Sequence, residues 1–121
     1  MNYSKTTIMG EQKNILANTH YTAISKKVAK SIASSNVIKA GTVICTDGTV
    51  LANNANTETV AAKKVLGMVL YDINVANEAG ANVVIPVLTH GTVIEETAKT
   101  LSGNTAYSND VKAALKQILF V

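Results

Sequence analysis

The sequence of 121 residues contains no arginine and no tryptophan, and it has one cysteine and one proline. Without arginine, the bidentate recognition of phosphates and bases is weakened. Four tyrosines and one phenylalanine offer few rings on which single-stranded nucleic acid could stack. The lone Cys45 permits no internal disulfide and cannot by itself form a thiolate metal site. These absences disfavour nucleic-acid binding and disulfide-stabilised scaffolds.

Long apolar runs are also missing, and no stretch of the sequence is long and apolar enough to span a membrane. The first residues lack the basic-then-apolar order of a secretory signal. We therefore expect a soluble domain that is made inside the cell and has no membrane partner.

The sequence is rich in β-branched residues, with 14 threonines, 14 valines and 10 isoleucines. Such residues favour pleated, half-buried surfaces over long helices, and the length suits one domain. We predict a mainly β, β-rich α+β fold: a small β-sandwich or barrel-like body with a short C-terminal helix and an extended N-terminal arm.

The net charge of +3 is unevenly distributed along the chain. Residues 1–36 hold five lysines and one glutamate (+4), whereas residues 37–121 hold six lysines against three aspartates and four glutamates (−1). We therefore divide the chain into a flexible arm, 1–36, and a β-rich body, 37–121. The arm either contacts an acidic partner or serves as a solubilising tail.

Residues 21–34 allow two interpretations. Ile24, Val28 and Ile32 recur every four residues, as in a short amphipathic helix. The β-branched content and the nearby serines weaken that helix, so it could form only on contact with a partner.

The residue pattern of the body predicts strands and turns. Residues 43–46 and 49–51 flank Asp47-Gly48, a dipeptide typical of tight hairpins. Residues 65–75 alternate as a half-buried strand in which Gly67 allows a bulge. Residues 83–89 form another strand, and Pro86 predicts that this strand lies at an edge or carries a bulge. Ser108 or Asn109 caps a helix over 110–116, and the chain ends on four apolar residues.

The chemistry-bearing residues do not form a recognisable catalytic motif. Cys45 with His90 could in principle pair as nucleophile and base, but a thiol in the middle of a strand is more often a buried apolar residue. Glu95 and Glu96 are adjacent, and on a strand they would point to opposite faces. The two histidines and scattered carboxylates have no metal-ligand spacing. We expect no catalytic residue, no metal site, no cofactor and no enzymatic activity.

The order of the body's segments resembles that of the lambda-type head decoration (capsid-stabilising) proteins of tailed bacteriophages. The resemblance covers roughly two thirds of the chain and is carried by four segments taken together: Ile38-Lys39-Ala40-Gly41-Thr42-Val43 followed by Asp47-Gly48, residues 65–75, Val83-Val84-Ile85 followed by His90-Gly91-Thr92-Val93, and residues 111–121.

This resemblance implies a homotrimer that binds the major capsid protein on the outside of an expanded capsid and stabilises it. The virion surface would be its location, after synthesis in the host bacterial cytoplasm. The family's N-terminal arm typically adds a strand to a capsid sheet. By position, that role falls on Thr6, Thr7, Ile8 and Met9, with Ile15 and Leu16 as a second anchor. The apolar end is a candidate trimer contact or a core strand: Ile118, Leu119, Phe120 and Val121.

Two alternatives remain open at this level. The first is the capsid-binding module of a head fibre, which would share the same strand pattern. The second belongs to another class: a small β-barrel binding module that contacts nucleic acid or an anionic polymer through its lysine-rich arm.

Overall fold

The computed structural model describes residues 15–18 and 20–121. Within them the chain forms eight strands, three α-helices and a short 3₁₀-helix at Lys30–Ile32. The strands are β1 Thr22–Ala29, β2 Val37–Ile38, β3 Val43–Cys45, β4 Val50–Leu51, β5 Val65–Val69, β6 Ile73–Asn74, β7 Asn82–Val93 and β8 Ile118–Phe120. The helices are α1 Thr57–Ala62, α2 Glu95–Leu101 and α3 Asn109–Ala114.

A six-stranded sheet forms the centre of the fold. Five strands follow the antiparallel order β1-β7-β5-β3-β4, and β8 joins parallel to the end of β7. Strands β2 and β6 pair as a separate two-stranded sheet. Strand β7 is thus the hub of the large sheet, since it pairs with β1, β5 and β8 along its twelve residues.

Alternation along the strands divides the apolar residues between the two faces of the large sheet. On one face, Val43, Cys45 and Met68 pack beneath side chains from the helices, including Ala98 and Val111. On the other face a second cluster includes side chains from β2 and from the residue after β6, and its buried members are Val28, Ile38, Ile44, Val69, Val75, Val83, Ile85 and Val87. The β-rich α+β class is confirmed, with a helical layer on one face and a small sheet on the other.

The amphipathic helix considered for residues 21–34 is wrong. Residues Thr22–Ala29 form β1, which pairs with β7 along its whole length. A spacing of four residues also fits a strand, because every second residue shares a face. Of the two residues on this face, Val28 lies in the core, whereas Ile24, nearer the start of the strand, remains 43% exposed. The boundary at residue 36 is corrected as well, because β1 belongs to the same sheet as the body.

Pro86 neither lies at a sheet edge nor carries a bulge, contrary to the prediction, since the β1–β7 register is regular from Ala23 to Ala29. It lies in β7, between β1 and β5, opposite Ser25. Lys30 N–H donates to Ala81 O, and the antiparallel alternation from that bond turns the Pro86 nitrogen away from β1. On the other side β5 ends at Val69, and only Leu70 N–H reaches Pro86 O, at 3.3 Å. The missing N–H therefore costs no bond to β1 and falls on the β5 side, just beyond the last residue of β5.

The hairpin at Asp47-Gly48 and the irregularity at Gly67 are confirmed. Strands β3 and β4 pair around the turn, with Gly48 at a φ of 87°. The β3–β5 register shifts between Ile44 and Cys45, opposite Gly67 and Val65. The strand predicted over 65–75 is divided into β5 and β6, which belong to different sheets.

The C-terminal helix is confirmed as α3, with Ser108 as its cap. Helices α1 and α2 were not predicted. Asn56 caps α1 by accepting a hydrogen bond from Thr59 N–H. Two glutamates begin α2, where negative charge suits the helix dipole. None of the helices in the described residues is long and apolar enough to cross a membrane.

Candidate functional site

The structure does not bring Cys45 and His90 together. Cys45 lies on β3 and is completely buried in the helix-side core, whereas His90 is exposed on β7 opposite Thr22. Strand β5 separates the two strands, which places their backbones about 10 Å apart. Burial raises the pKa of the Cys45 thiol, although a hydrogen bond with Thr49 opposes that shift. The thiol is thus held in its unreactive form.

Three carboxylates, those of Glu95, Glu96 and Asp72, are engaged in structural contacts. Glu95 and Glu96 open α2 rather than ending a strand, and they pair with Lys112 at 2.7 Å and Lys99 at 3.3 Å. Asp72 accepts a hydrogen bond from Ala40 N–H at 2.8 Å. Across the residues described by the structure, no group of three or more potential metal-ligating side chains occurs.

The proposed capsid-binding residues are divided by the structure. Thr6, Thr7, Ile8 and Met9 lie outside the described residues. Ile15 is completely buried in the helix-side core, and its carbonyl accepts from Ile94 N–H at 2.8 Å. Leu16 bridges to Val93 and packs against the same core. Ile15 and Leu16 therefore attach the N-terminal segment to the protein's own body. The prediction that Ile15 is available to a capsid partner is wrong.

The apolar C-terminus has one buried and one exposed side. Ile118 is buried in the core, and the Phe120 ring lies 5.4 Å from that of Tyr107, with Lys112 Nζ 5.8 Å above it. Leu119 and Val121 point to the other side of the sheet and are each 62% exposed. Two of the four residues predicted as a trimer contact, Ile118 and Phe120, thus belong to a strand of the protein's own core.

The exposed half forms part of a larger surface, which we call the apolar patch (Thr92, Ile94, Leu119 and Val121). Leu119 pairs with Thr92, and Glu95 N–H bonds to Val121 O, so the same register places Val121 beside Ile94. Ile94 is 39% exposed. Contiguous exposed apolar side chains of this kind commonly mark a protein contact.

Sequence reasoning missed a second surface, the basic patch (Lys26, Lys27, Lys63 and Lys64). Strand β1 brings its two lysines to the Asp47-Gly48 turn, where the residues before β5 contribute the other two. Two of these lysines belong to the segment predicted as an arm and two to the body. The pairs Lys26-Lys27 and Lys63-Lys64 are visible in the sequence, but their proximity depends on the position of β1.

Comparisons of the chain with models of protein families, with curated proteins and with solved structures found no match.

Proposed function

We propose that this chain is a structural virion protein that binds the outside of an expanded tailed-phage capsid as a homotrimer and stabilises it. The major capsid protein is its partner, and its role requires no catalytic group. The proposal builds on the resemblance of residues 38–121 to the lambda-type decoration proteins. The observation that carries it is the apolar patch, which the fold leaves open beside the point where the N-terminal segment enters the body.

The apolar patch suits a contact between subunits. It lies on a regular sheet element, so its side chains are held in place before association. Leu119 and Val121 are the most exposed of its members. A cyclic arrangement of three subunits would let each copy bury apolar surface that a body of this size leaves open.

Residues 1–14 suit attachment to a second protein. They precede Ile15, which is fixed in the core next to Ile94 of the patch. Three such segments on one trimer would act together, because linked binding segments raise one another's effective concentration. Addition of an extended segment to a sheet edge uses main-chain hydrogen bonds and so tolerates many sequences.

Capsid binding tests the proposal directly. Purified protein is mixed with expanded shells and with compact precursor shells of the source phage, and bound copies are counted after sedimentation. We expect copies in multiples of three on expanded shells and a higher melting temperature of the decorated shell. If no mature shell binds the protein, the proposed function is wrong.

A pair of variants tests the role of the patch. Leu119→Asp places a charge in the patch, and Val84→Asp places the same charge on an equally exposed valine (63%) at the far end of β7. We expect Leu119→Asp to prevent trimer formation on shells, and Val84→Asp to leave it intact. Equal trimer formation by the two variants would show that the apolar patch is not the contact between subunits.

A further inference from the structure

The turn at residues 46–49 lies against the two segments that carry the lysines of the basic patch, with the side chains of Lys26 and Lys63 and the backbones of Lys27 and Lys64 in contact with it. Lys26 Nζ donates to Thr46 O at 2.6 Å, and Thr46 N–H donates to the carbonyl of Lys64 at 2.8 Å. Lys63 Nζ donates to Thr49 Oγ1 at 3.1 Å. On the other side, a side chain at Gly48 would lie 3.4 Å from the Lys27 carbonyl oxygen. Three separate parts of the chain thus meet at one turn.

The basic patch accounts for the net charge of the whole chain. Its four lysines and Asp47 sum to +3, and the remaining seven lysines balance the remaining seven acidic residues, leaving zero. Lys27 and Lys64 are exposed, so their charges are available to a partner. The field of this surface therefore attracts an anionic group to one place.

Asp47 gives the patch an acceptor at its centre. Its Oδ1 accepts from Thr49 N–H at 3.0 Å and from Thr49 Oγ1 at 2.6 Å. These hydrogen bonds hold the pKa of the Asp47 carboxyl below its ordinary value. Its Oδ2 lies 3.8 Å from Lys63 Nζ. A ligand must therefore satisfy several cations and tolerate one fixed anion.

A cavity of about 440 Å³ adjoins the patch, between the turn and the outer edge of β1. Lys27, Ala29, Asp47 and Asn82 are among the residues that line it. Continued from the Lys30–Ala81 bond, the ladder alternation turns the N–H and C=O groups of Ala29 away from β7. The C=O of Ala29 accepts the first bond of the 3₁₀-helix, whose N-terminal cap is Ala29. Its N–H has no hydrogen-bond partner among the described residues, so the cavity offers one main-chain donor beside the lysines.

We propose that the basic patch and this cavity bind an acidic segment of a partner protein, whose carboxylates meet the lysines and whose main-chain N–H groups meet Asp47. A peptide fits this surface because it supplies both anions and donors. A DNA backbone presents only acceptors to Asp47, no arginine is available for bidentate phosphate contacts, and no aromatic residue lines the cavity. The inference concerns the surface itself and does not depend on capsid binding.

The test uses the full-length chain labelled with ¹⁵N and a peptide of glutamates equal in length to the eight residues of β1. We expect the largest amide shifts at residues 25–29, 46–49 and 63–64, and binding that weakens as salt is raised. Oligothymidylate of equal charge serves as the competing ligand and is expected to bind more weakly.

Charge reversal in two double variants completes the test. Lys27→Glu with Lys64→Glu is expected to weaken peptide binding about tenfold or more. Lys39→Glu with Lys116→Glu changes the net charge equally at other places on the surface and is expected to retain most of the binding. Equal losses in both variants would show that only net charge matters. Tighter binding of the oligonucleotide, or shifts outside the patch, would also overturn the proposal.

Discussion

Single side chains connect distant parts of this fold, and Tyr107 is the clearest case. Its hydroxyl donates to Gly41 O at 2.6 Å across 66 positions of sequence, and its ring packs against Phe120. Gly41 has a φ of 84°, and a side chain there would lie 2.9 Å from the Tyr107 hydroxyl oxygen. The loop before β3 therefore packs closely against the segment before α3 through one residue pair, Gly41 and Tyr107.

Tyr107→Phe should lower the free energy of unfolding by about 1–2 kcal/mol, because it leaves the buried Gly41 carbonyl without its donor. Denaturant unfolding measures the change. Tyr21→Phe is the matched control, since Tyr21 is 44% exposed and its hydroxyl has no hydrogen-bond partner among the described residues. A loss in the control equal to that in Tyr107→Phe would contradict the assignment.

The stabilising effect of Tyr107 should depend on pH. Burial raises the pKa of Tyr107 from its ordinary value of 10.0 to about 12. The folded state therefore retains a proton that the unfolded state releases, so this contribution is complete below pH 10 and disappears as the pH rises toward 12. We expect the stability difference between the wild-type protein and Tyr107→Phe to shrink over that range. A constant difference would show that the hydroxyl titrates normally.

Gly67→Ala should be among the most damaging single substitutions in the sheet. A methyl group there would overlap the carbonyl oxygen of Leu88 on the neighbouring strand, so the backbone must shift. We expect a loss of about 3 kcal/mol in unfolding free energy. Gly80→Ala is the control because its nearest contact would be an ordinary 3.6 Å. Calorimetric melting of the two variants decides the comparison.

At the scale of elements, the sequence predicts structure well where the signal is local. The Asp47-Gly48 turn and the Ser108 cap depend on residues within four positions of one another, and both are confirmed. Strand β1 was missed because Ile24 and Val28 fit either period, and pairing with β7, more than fifty residues away, decides between them. The position of Pro86 was predicted wrongly for a related reason. A proline is accommodated inside the sheet there because β5 ends at Val69, and the sequence does not show where β5 ends.

The same distinction between local signals and long-range pairing applies to the candidate surfaces. The apolar character of residues 118–121 was evident from the sequence, but which of them face outward depends on the register with β7. The basic patch could not be predicted, since it requires β1 to pass the turn at 46–49. Ile15 looked like an anchor for a partner because nothing in the sequence shows that Ile94 would bind its carbonyl.

Ser108→Ala should destabilise the link between α3 and the segment before α1. Ser108 Oγ accepts from Val111 N–H at 3.2 Å and donates to Ala55 O at 2.8 Å. Loss of the cap should cost about 1 kcal/mol. Asn109→Ala, the other capping candidate, should change stability by less than half as much. Urea unfolding of both variants tests this, and a reversed ranking would contradict the cap.

At the scale of the whole molecule, the residues from Ile15 onward are part of the body. Removing residues 1–20 should therefore lower the free energy of unfolding by about 3 kcal/mol relative to removing residues 1–14, since the longer truncation deletes the buried Ile15. Chemical denaturation of both truncated proteins measures the difference. Equal stability would mean that the core closes without Ile15.

The twelve residues of β7 also determine when the chain can finish folding. Near the end of β7, Val93 pairs with Leu16 on one side and with Phe120 of β8 on the other. Contacts between such distant positions slow folding. During synthesis the last of them cannot form until residue 120 has left the ribosome, so a nascent chain that has emerged only as far as residue 117 would keep this edge of β7 open to other unfinished chains.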